Sequence, residues 1–318
     1  MHLAAPRAPV LFYCHFPDQL LAPPPSRTLA GRLRALYRAP LDALEQATTG
    51  AADRVLVNSQ FTAAVFARAF PRLAVRGVSP AVLHPAAAIP AERALQRAAD
   101  TWREVLPADV VALVEGGGPV FLSINRFETK KGLPLALDAL AALPRSAPAP
   151  VLIFAGGYDA RLPDNVAVLA SLKARAAALG LTARVAFLPS FAEPQKAALL
   201  AVATAVLYTP QGEHFGIVPV EAAAARVPVV ACASGGPVES IADGVTGWLV
   251  APDAAAFAAA AARVLGPGGP AVAARVAAAA RERAVRLFSR TAFGAKLEAE
   301  VVALVDGKQE RGKGGKRG

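Results

Sequence analysis

Cysteine is scarce in this chain. Only Cys14 and Cys232 occur, far apart, with neither a C-x-x-C pair nor a Cys/His spacing. No disulfide framework and no zinc site follows, and a reducing compartment is the simpler expectation. Long apolar runs are also missing, since no stretch reaches the roughly 18 uncharged apolar residues of a membrane-spanning helix. The nearest candidate, Ala197 to Pro210, reads as a helix end followed by a buried strand. The opening apolar run is interrupted by His15 and Asp18, which argues against a signal peptide. There is no RNP-like aromatic motif, no zinc finger and no basic heptad region, so nucleic acid is not an expected partner. Repeats of solenoid type are absent too.

What is present suits one large domain or two ordinary ones. The 318 residues are 54% hydrophobic, which excludes disorder as a description of the whole chain. Much of that share is alanine, which favours helices more than it deepens cores. The net charge of +10 implies an acidic partner. Arg27, Arg32, Arg34 and Arg38 crowd one segment, and Lys308, Arg311, Lys313, Lys316 and Arg317 crowd the C-terminal tail. Such faces suit an anionic membrane surface or a phosphate-bearing substrate, and Arg34 and Arg38, one helical turn apart, suit lipid head groups.

Strand-like and helix-like segments alternate along the chain, the pattern of a parallel α/β sheet. Val10 to Cys14 predicts a buried strand. Leu29 to Arg38 predicts a basic amphipathic helix, and Pro40 to Thr48 a second one ending at Gly50. Arg54 to Asn58 predicts a strand, with Ser59 capping a helix that runs to about Phe70. A second, fuller series begins after Gly116-Gly-Gly118. Its strands are expected at Val120 to Ile124, Val151 to Ala155, Arg184 to Leu188, Ala205 to Pro210 and Val227 to Cys232. A helical region from about Ala271 to Val305 follows. The expected division is an N-terminal domain over 1–85, a linker over 86–118 and a C-terminal doubly wound domain over 119–268. C-terminal helices over 269–306 and a basic disordered tail over 307–318 complete it.

Chemistry concentrates at two strand exits. Ser123-Ile-Asn-Arg-Phe-Glu-Thr-Lys-Lys-Gly132 places Arg126, Lys130 and Lys131 between a strand and a helix N-terminus, where anions are favoured. Arginine can fork onto two oxygens and lysine adds a mobile point charge, which makes a diphosphate clamp. Glu213-His-Phe-Gly-Ile-Val-Pro-Val-Glu221 sets two carboxylates seven residues apart, one at a strand exit and one about two turns into the next helix. Each can accept hydrogen bonds from a pair of hydroxyls. By itself that spacing also fits two solvated helix charges. Bases in one loop and acids in a later one, at the carboxyl ends of parallel strands, complement a nucleotide sugar.

Tyr13-Cys-His-Phe-Pro-Asp18, Leu36-Tyr-Arg-Ala-Pro40, Val57-Asn-Ser-Gln-Phe-Thr-Ala-Ala-Val-Phe66 and Ser123-Ile-Asn-Arg-Phe-Glu128 carry a wider resemblance. So do Ala155-Gly-Gly-Tyr-Asp159, Tyr208-Thr-Pro210, Glu213-His-Phe-Gly-Ile-Val-Pro219 and Ser234-Gly-Gly-Pro237. In that order, from about Val10 to Leu304, they resemble the α-1,3/1,6-mannosyltransferases of dolichol-linked oligosaccharide assembly, which are retaining GT-B glycosyltransferases. The E-x7-E motif alone specifies only the wider family.

The resemblance implies two Rossmann-like domains and mannose transfer from GDP-mannose to a dolichyl-diphosphate-linked chitobiose already bearing one mannose. The linkages would be α-1,3 and then α-1,6. The place would be the cytosolic face of the endoplasmic reticulum membrane, with other mannosyltransferases of the pathway as candidate partners. Arg126 and Lys131 would hold the donor diphosphate, Glu213 the mannose hydroxyls and Glu221 the ribose hydroxyls. Backbone N–H groups around Phe215, Gly216 and Ile217 would add contacts, and His15 would meet the transferred sugar. No metal or other cofactor is expected.

The family's N-terminal domain opens with further strands and a glycine-rich loop, and that pattern does not stand ahead of Val10. An incomplete N-terminal domain is therefore expected. Three other readings stay open on the residues: a transferase using another nucleotide sugar, a non-catalytic nucleotide-sugar-binding homologue acting as a partner subunit, and a basic membrane- or nucleic-acid-binding module.

Overall fold

The computed structural model describes residues 8–21, 28–144 and 148–314, with side chains through Asp306. The chain divides into two compact units, one of residues 1–86 with 290–318 and one of residues 87–289.

The first unit is built on three short parallel strands, β1 (Leu11–Cys14), β2 (Arg54–Val57) and β3 (Ala81–Val82), in the order β1-β2-β3. Helix α1 (Leu29–Thr49) joins the first two strands, and α2 (Gln60–Ala69) and α3 (Pro71–Val75) join the second pair. Ser59 caps α2 as expected, its hydroxyl accepting from the Thr62 N–H. Val55, Val57, Phe66, Phe70 and Leu73 form the core here. Strand β1 is less buried than expected, because it takes an edge of the sheet and leaves Phe12 39% exposed.

The predicted break at Pro40 is not there. A single helix runs from Leu29 to Thr49 with the proline inside it. One proline removes one backbone hydrogen bond. Thr28 caps the helix start, and Glu45 near its end accepts from the backbone N–H groups of Asp18 and Gln19.

The second unit opens with α4 (Glu92–Val105) and α5 (Ala108–Glu115). These helices correct the expected linker over 86–118, since Trp102, Leu106 and Val110 are buried core residues. Then follow β4 (Val120–Ile124), α6 (Pro134–Ala142), β5 (Val151–Gly156), α7 (Pro163–Ala178), β6 (Val185–Pro189) and α8 (Glu193–Val202). After these come β7 (Ala205–Tyr208), α9 (Ile217–Ala224), β8 (Val229–Cys232), α10 (Pro237–Ser240), β9 (Trp248–Val250), α11 (Ala254–Ala261) and α12 (Gly269–Phe288). All six strands are parallel, in the order β6-β5-β4-β7-β8-β9. Sequence reading missed β9 and α11, whose alanine-rich run carries little periodic signal.

Alternation along the strands makes two cores. Val120, Leu122 and Ile124 of β4 face α4, α5 and α8, while Phe121 joins Phe154, Leu207 and Val230 on the opposite face under α6, α11 and α12. The chain order reverses between β4 and β7, and open parallel sheets form their ligand crevice at such a point. Helix α13 (Arg290–Gly314) belongs to the first unit, where Glu300 pairs with Arg54 at 2.7 Å. Its backbone stays helical through Gly314, beyond the start of the expected disordered tail at 307.

Both cysteines are free and buried. Burial, and then the Glu45 carboxylate, pushes the Cys14 thiol up to about 11, and burial pushes Cys232 up to about 11. A depressed thiolate fraction blocks alkylation. Iodoacetamide at pH 8 is therefore expected to leave both thiols unmodified in the native chain and to label both in denaturant. Because these thiols ionise more readily unfolded, stability should decline as pH rises from the ordinary thiol range towards 11.

Candidate active site

Four strand exits, those of β4, β5, β6 and β7, converge on one cleft of about 360 Å³ in the second unit, lined among others by Arg126, Lys131, Lys196, Glu213, Ile217 and Glu221. The predicted basic loop follows β4. Arg126 leaves the strand beside Gly156-Gly157 of β5, where a Cβ on Gly157 would sit 3.1 Å from Arg126 Cγ. A Cβ on Gly156 would fall 1.6 Å from the Asn125 carbonyl oxygen, so only glycine lets the two chains approach this closely. Lys131 is 8% exposed. Its carbonyl accepts from the buried Thr209 hydroxyl at 2.8 Å, and the Thr209 carbonyl in turn accepts from Cys232 Sγ at 3.1 Å. This chain of bonds ties the basic loop to the ends of β7 and β8.

The acidic loop follows β7. The Gly212 N–H donates to Ser234 Oγ at 2.9 Å, and the Gly236 N–H donates to the Glu213 carbonyl at 2.7 Å. The Ser234-Gly-Gly-Pro237 turn after β8 therefore holds the segment that presents Glu213. Gly216, in the left-handed region at φ 76°, starts α9, and its successors offer free N–H groups to the cleft. The Phe215 ring packs in the core against Phe288 at 5.6 Å, which leaves its backbone for a ligand.

The bases and acids predicted from separate motifs meet directly. Lys131 Nζ donates to Glu213 Oε1 at 2.6 Å. Arg126 pairs with Glu128 at 2.8 Å while its side chain stays 61% exposed and able to turn to a ligand. Tyr208 lies beside Glu213, and burial, followed by that carboxylate, raises its phenol well above the usual range, so it acts as a hydrogen-bond donor.

Glu221 has a partner that the sequence did not reveal. Lys196 of α8 donates to its Oε1 at 2.9 Å and also reaches Glu193 at 3.1 Å. Burial lowers the Lys196 pKa, but the hydrogen bonds to Glu221 and Glu193 outweigh it and the ammonium is held above its ordinary value. Nothing near Lys196 in sequence marks its pairing with Glu221, which lies 25 residues away. His15 belongs to the first unit. It is exposed, its ring stands edge-on to Tyr13 at 4.7 Å, and its carbonyl accepts from Asn58 at 3.0 Å.

Residues 109–283 match the family "Glycosyl transferases group 1". The chain is 43% identical over 309 residues to alpha-1,3/1,6-mannosyltransferase ALG2 of Mus musculus and 42% identical over 309 residues to that of Homo sapiens. Each alignment covers 95% of this chain and 70% of the relative. Among solved structures, sucrose-phosphate synthase from Thermosynechococcus elongatus superposes with a TM-score of 0.70 at 24% identity, covering 93% of this chain and 68% of that one. The fold is thus GT-B. With its acid and base loops in place on that fold, the chain belongs to the group 1 glycosyltransferases and, within them, to the α-1,3/1,6-mannosyltransferase family.

Proposed function

We propose that this enzyme takes its mannose from GDP-mannose and passes it to a dolichyl-diphosphate-linked acceptor carrying chitobiose and one mannose. It forms the α-1,3 and then the α-1,6 linkage of the N-glycan precursor. The observation that carries this reading is the Lys131–Glu213 pair at the sheet's reversal point, in a member of a mannosyltransferase family. One N–H of the Lys131 ammonium is held by Glu213, and the other two face the donor diphosphate. Arg126 forks onto the same phosphates. The Glu213 carboxylate takes mannose hydroxyls. Glu221, fixed by Lys196, takes those of the ribose, and the N–H groups at the start of α9 add polar contacts.

The chemistry is front-face substitution. The bond from the anomeric carbon to the phosphate oxygen breaks with its electron pair leaving on GDP. The acceptor oxygen forms the new bond on the same face, and its proton passes to the departing phosphate oxygen. The protein's part is orientation and charge stabilisation. Arg126 and Lys131 supply the positive charge, so the scheme needs no metal. No described helix is long and apolar enough to cross a membrane, and the proposed place of action is the cytosolic surface of the endoplasmic reticulum.

Titrating GDP-mannose and UDP-glucose against the chain tests the donor. GDP-mannose is expected to bind at least about tenfold more tightly, and Arg126→Ala to weaken it by about tenfold or more. A folded chain that shows no GDP-selective binding would overturn the reading.

A further inference from the structure

Helix α1 is amphipathic, but it is mounted the wrong way round for a helix that serves a protein core. Its polar side faces the chain. Arg38 pairs with Asp18 at 3.2 Å and Asp42 at 2.9 Å, and Glu45 accepts from the N–H groups of Asp18 and Gln19. Only Gly31 and Thr49 of the helix are buried. Its apolar side is turned outward, with Leu29 at 74% exposure, Leu33 at 60%, Leu36 at 73%, Tyr37 at 70%, Leu41 at 42% and Leu44 at 59%. At about 100° per residue these six side chains and Pro40 occupy one continuous sector of about 140°. Exposed apolar residues are common singly. A whole helix face is not.

The charges around this sector select what covers it. Arg32 lies at one border and Arg34 at the other, both exposed, and neither makes an ion pair among the described residues. No carboxylate falls within the sector, because Asp42 and Glu45 are on the inward side. The chain as a whole carries +10. An apolar face bordered by arginines and free of acids is the pattern of a helix that lies in the head-group layer of an anionic bilayer. A second copy of this chain would bring its own arginines to the same borders, like charge against like.

We infer that the outward face of α1 docks the enzyme on an acidic lipid surface, with Leu33, Leu36 and Tyr37 entering the acyl boundary and Arg32 and Arg34 meeting lipid phosphates. The inference rests on the membrane-surface part of the proposed function and gives it a specific helix.

The test is flotation of the full chain with vesicles of phosphatidylcholine containing about one third phosphatidylserine, against vesicles of phosphatidylcholine alone. Binding to the acidic vesicles is expected, with partitioning at least about tenfold weaker for Leu33→Glu combined with Leu36→Glu. Arg32→Glu with Arg34→Glu should weaken it as well and reduce its salt sensitivity. The mutated side chains are exposed, so melting temperature and GDP-mannose binding should be unchanged in both variants. Equal flotation of the leucine variant would mean that scattered charge alone drives binding, and would overturn the inference. So would a folded wild-type chain that floats with neither vesicle, or a solution dimer that the leucine substitutions dissolve. Donor binding measured on the same samples separates the two claims. Lost donor binding with intact flotation defeats the proposed chemistry and leaves the docking face standing.

Discussion

Replacing Lys131 with alanine is expected to lower kcat/KM for mannosyl transfer by about two to three orders of magnitude, the loss usual when one preorganised donor to a developing charge is removed. Two effects combine. The departing diphosphate loses its most buried cation, and Glu213 loses the partner that holds its carboxylate at 2.6 Å. The lysine side chain is 10% exposed and that of the glutamate 24%, so the orphaned carboxylate stays partly desolvated. Lys131→Ala should therefore also destabilise the second unit. Lys131→Met combined with Glu213→Gln separates the effects. The pair of neutral side chains should recover most of the stability, because no buried charge is left unpaired, while activity stays as low as in the single variant. Recovery of activity along with stability would show that Lys131 acts through folding alone.

Gly236→Ala is expected to destabilise the second unit by about 3 kcal/mol, at the upper end for overpacking. A Cβ there would lie 2.2 Å from both Cα and O of Phe215, and backbone cannot swing aside as a flexible side chain does. For a unit of this size the melting temperature should fall by about 6–12 °C. The same strain pushes the Glu213 segment away from the basic loop, so donor affinity should fall in the fraction that remains folded. Gly268→Ala is the matched control. Its φ is −90° and its Cβ would meet nothing within 4 Å, so thermal unfolding by circular dichroism should hardly change. A Gly236 variant that melts with the wild type would mean that the turn after β8 does not hold the acidic loop.

Much of this site was legible because its chemistry sits in loops next to strong strand patterns. Val120 to Ile124, apolar but for Ser123, and Val151 to Gly156 are short runs buried on both faces, and the motifs at their ends follow directly. What those motifs did not reveal is how the side chains spend their charges when no donor is bound. The pairing of Lys131 with Glu213 spans 82 residues and that of Lys196 with Glu221 spans 25, and only the folded sheet brings either together.

The stretch over 86–118 was misread for a different reason. Prolines before it and glycines after it suggest a linker, but Leu95, Ala98, Trp102 and Val105 recur at helical spacing and mark α4. At Pro40 the local rule was right about cost and wrong about outcome. Polar anchoring on the inner side carries the helix through, and its outward side leaves the ring open to solvent.

The most direct test is transfer itself. The full chain is incubated with GDP-mannose and a lipid-diphosphate acceptor bearing chitobiose and one mannose, and the linkage and anomeric configuration of the product are read by mass spectrometry and linkage-specific mannosidases. The account predicts α-1,3- and then α-1,6-linked mannose with wild-type chain, and product reduced by at least about a hundredfold with Lys131→Ala. A folded, donor-binding chain that forms no lipid-linked product, or a β-linked product, would contradict it.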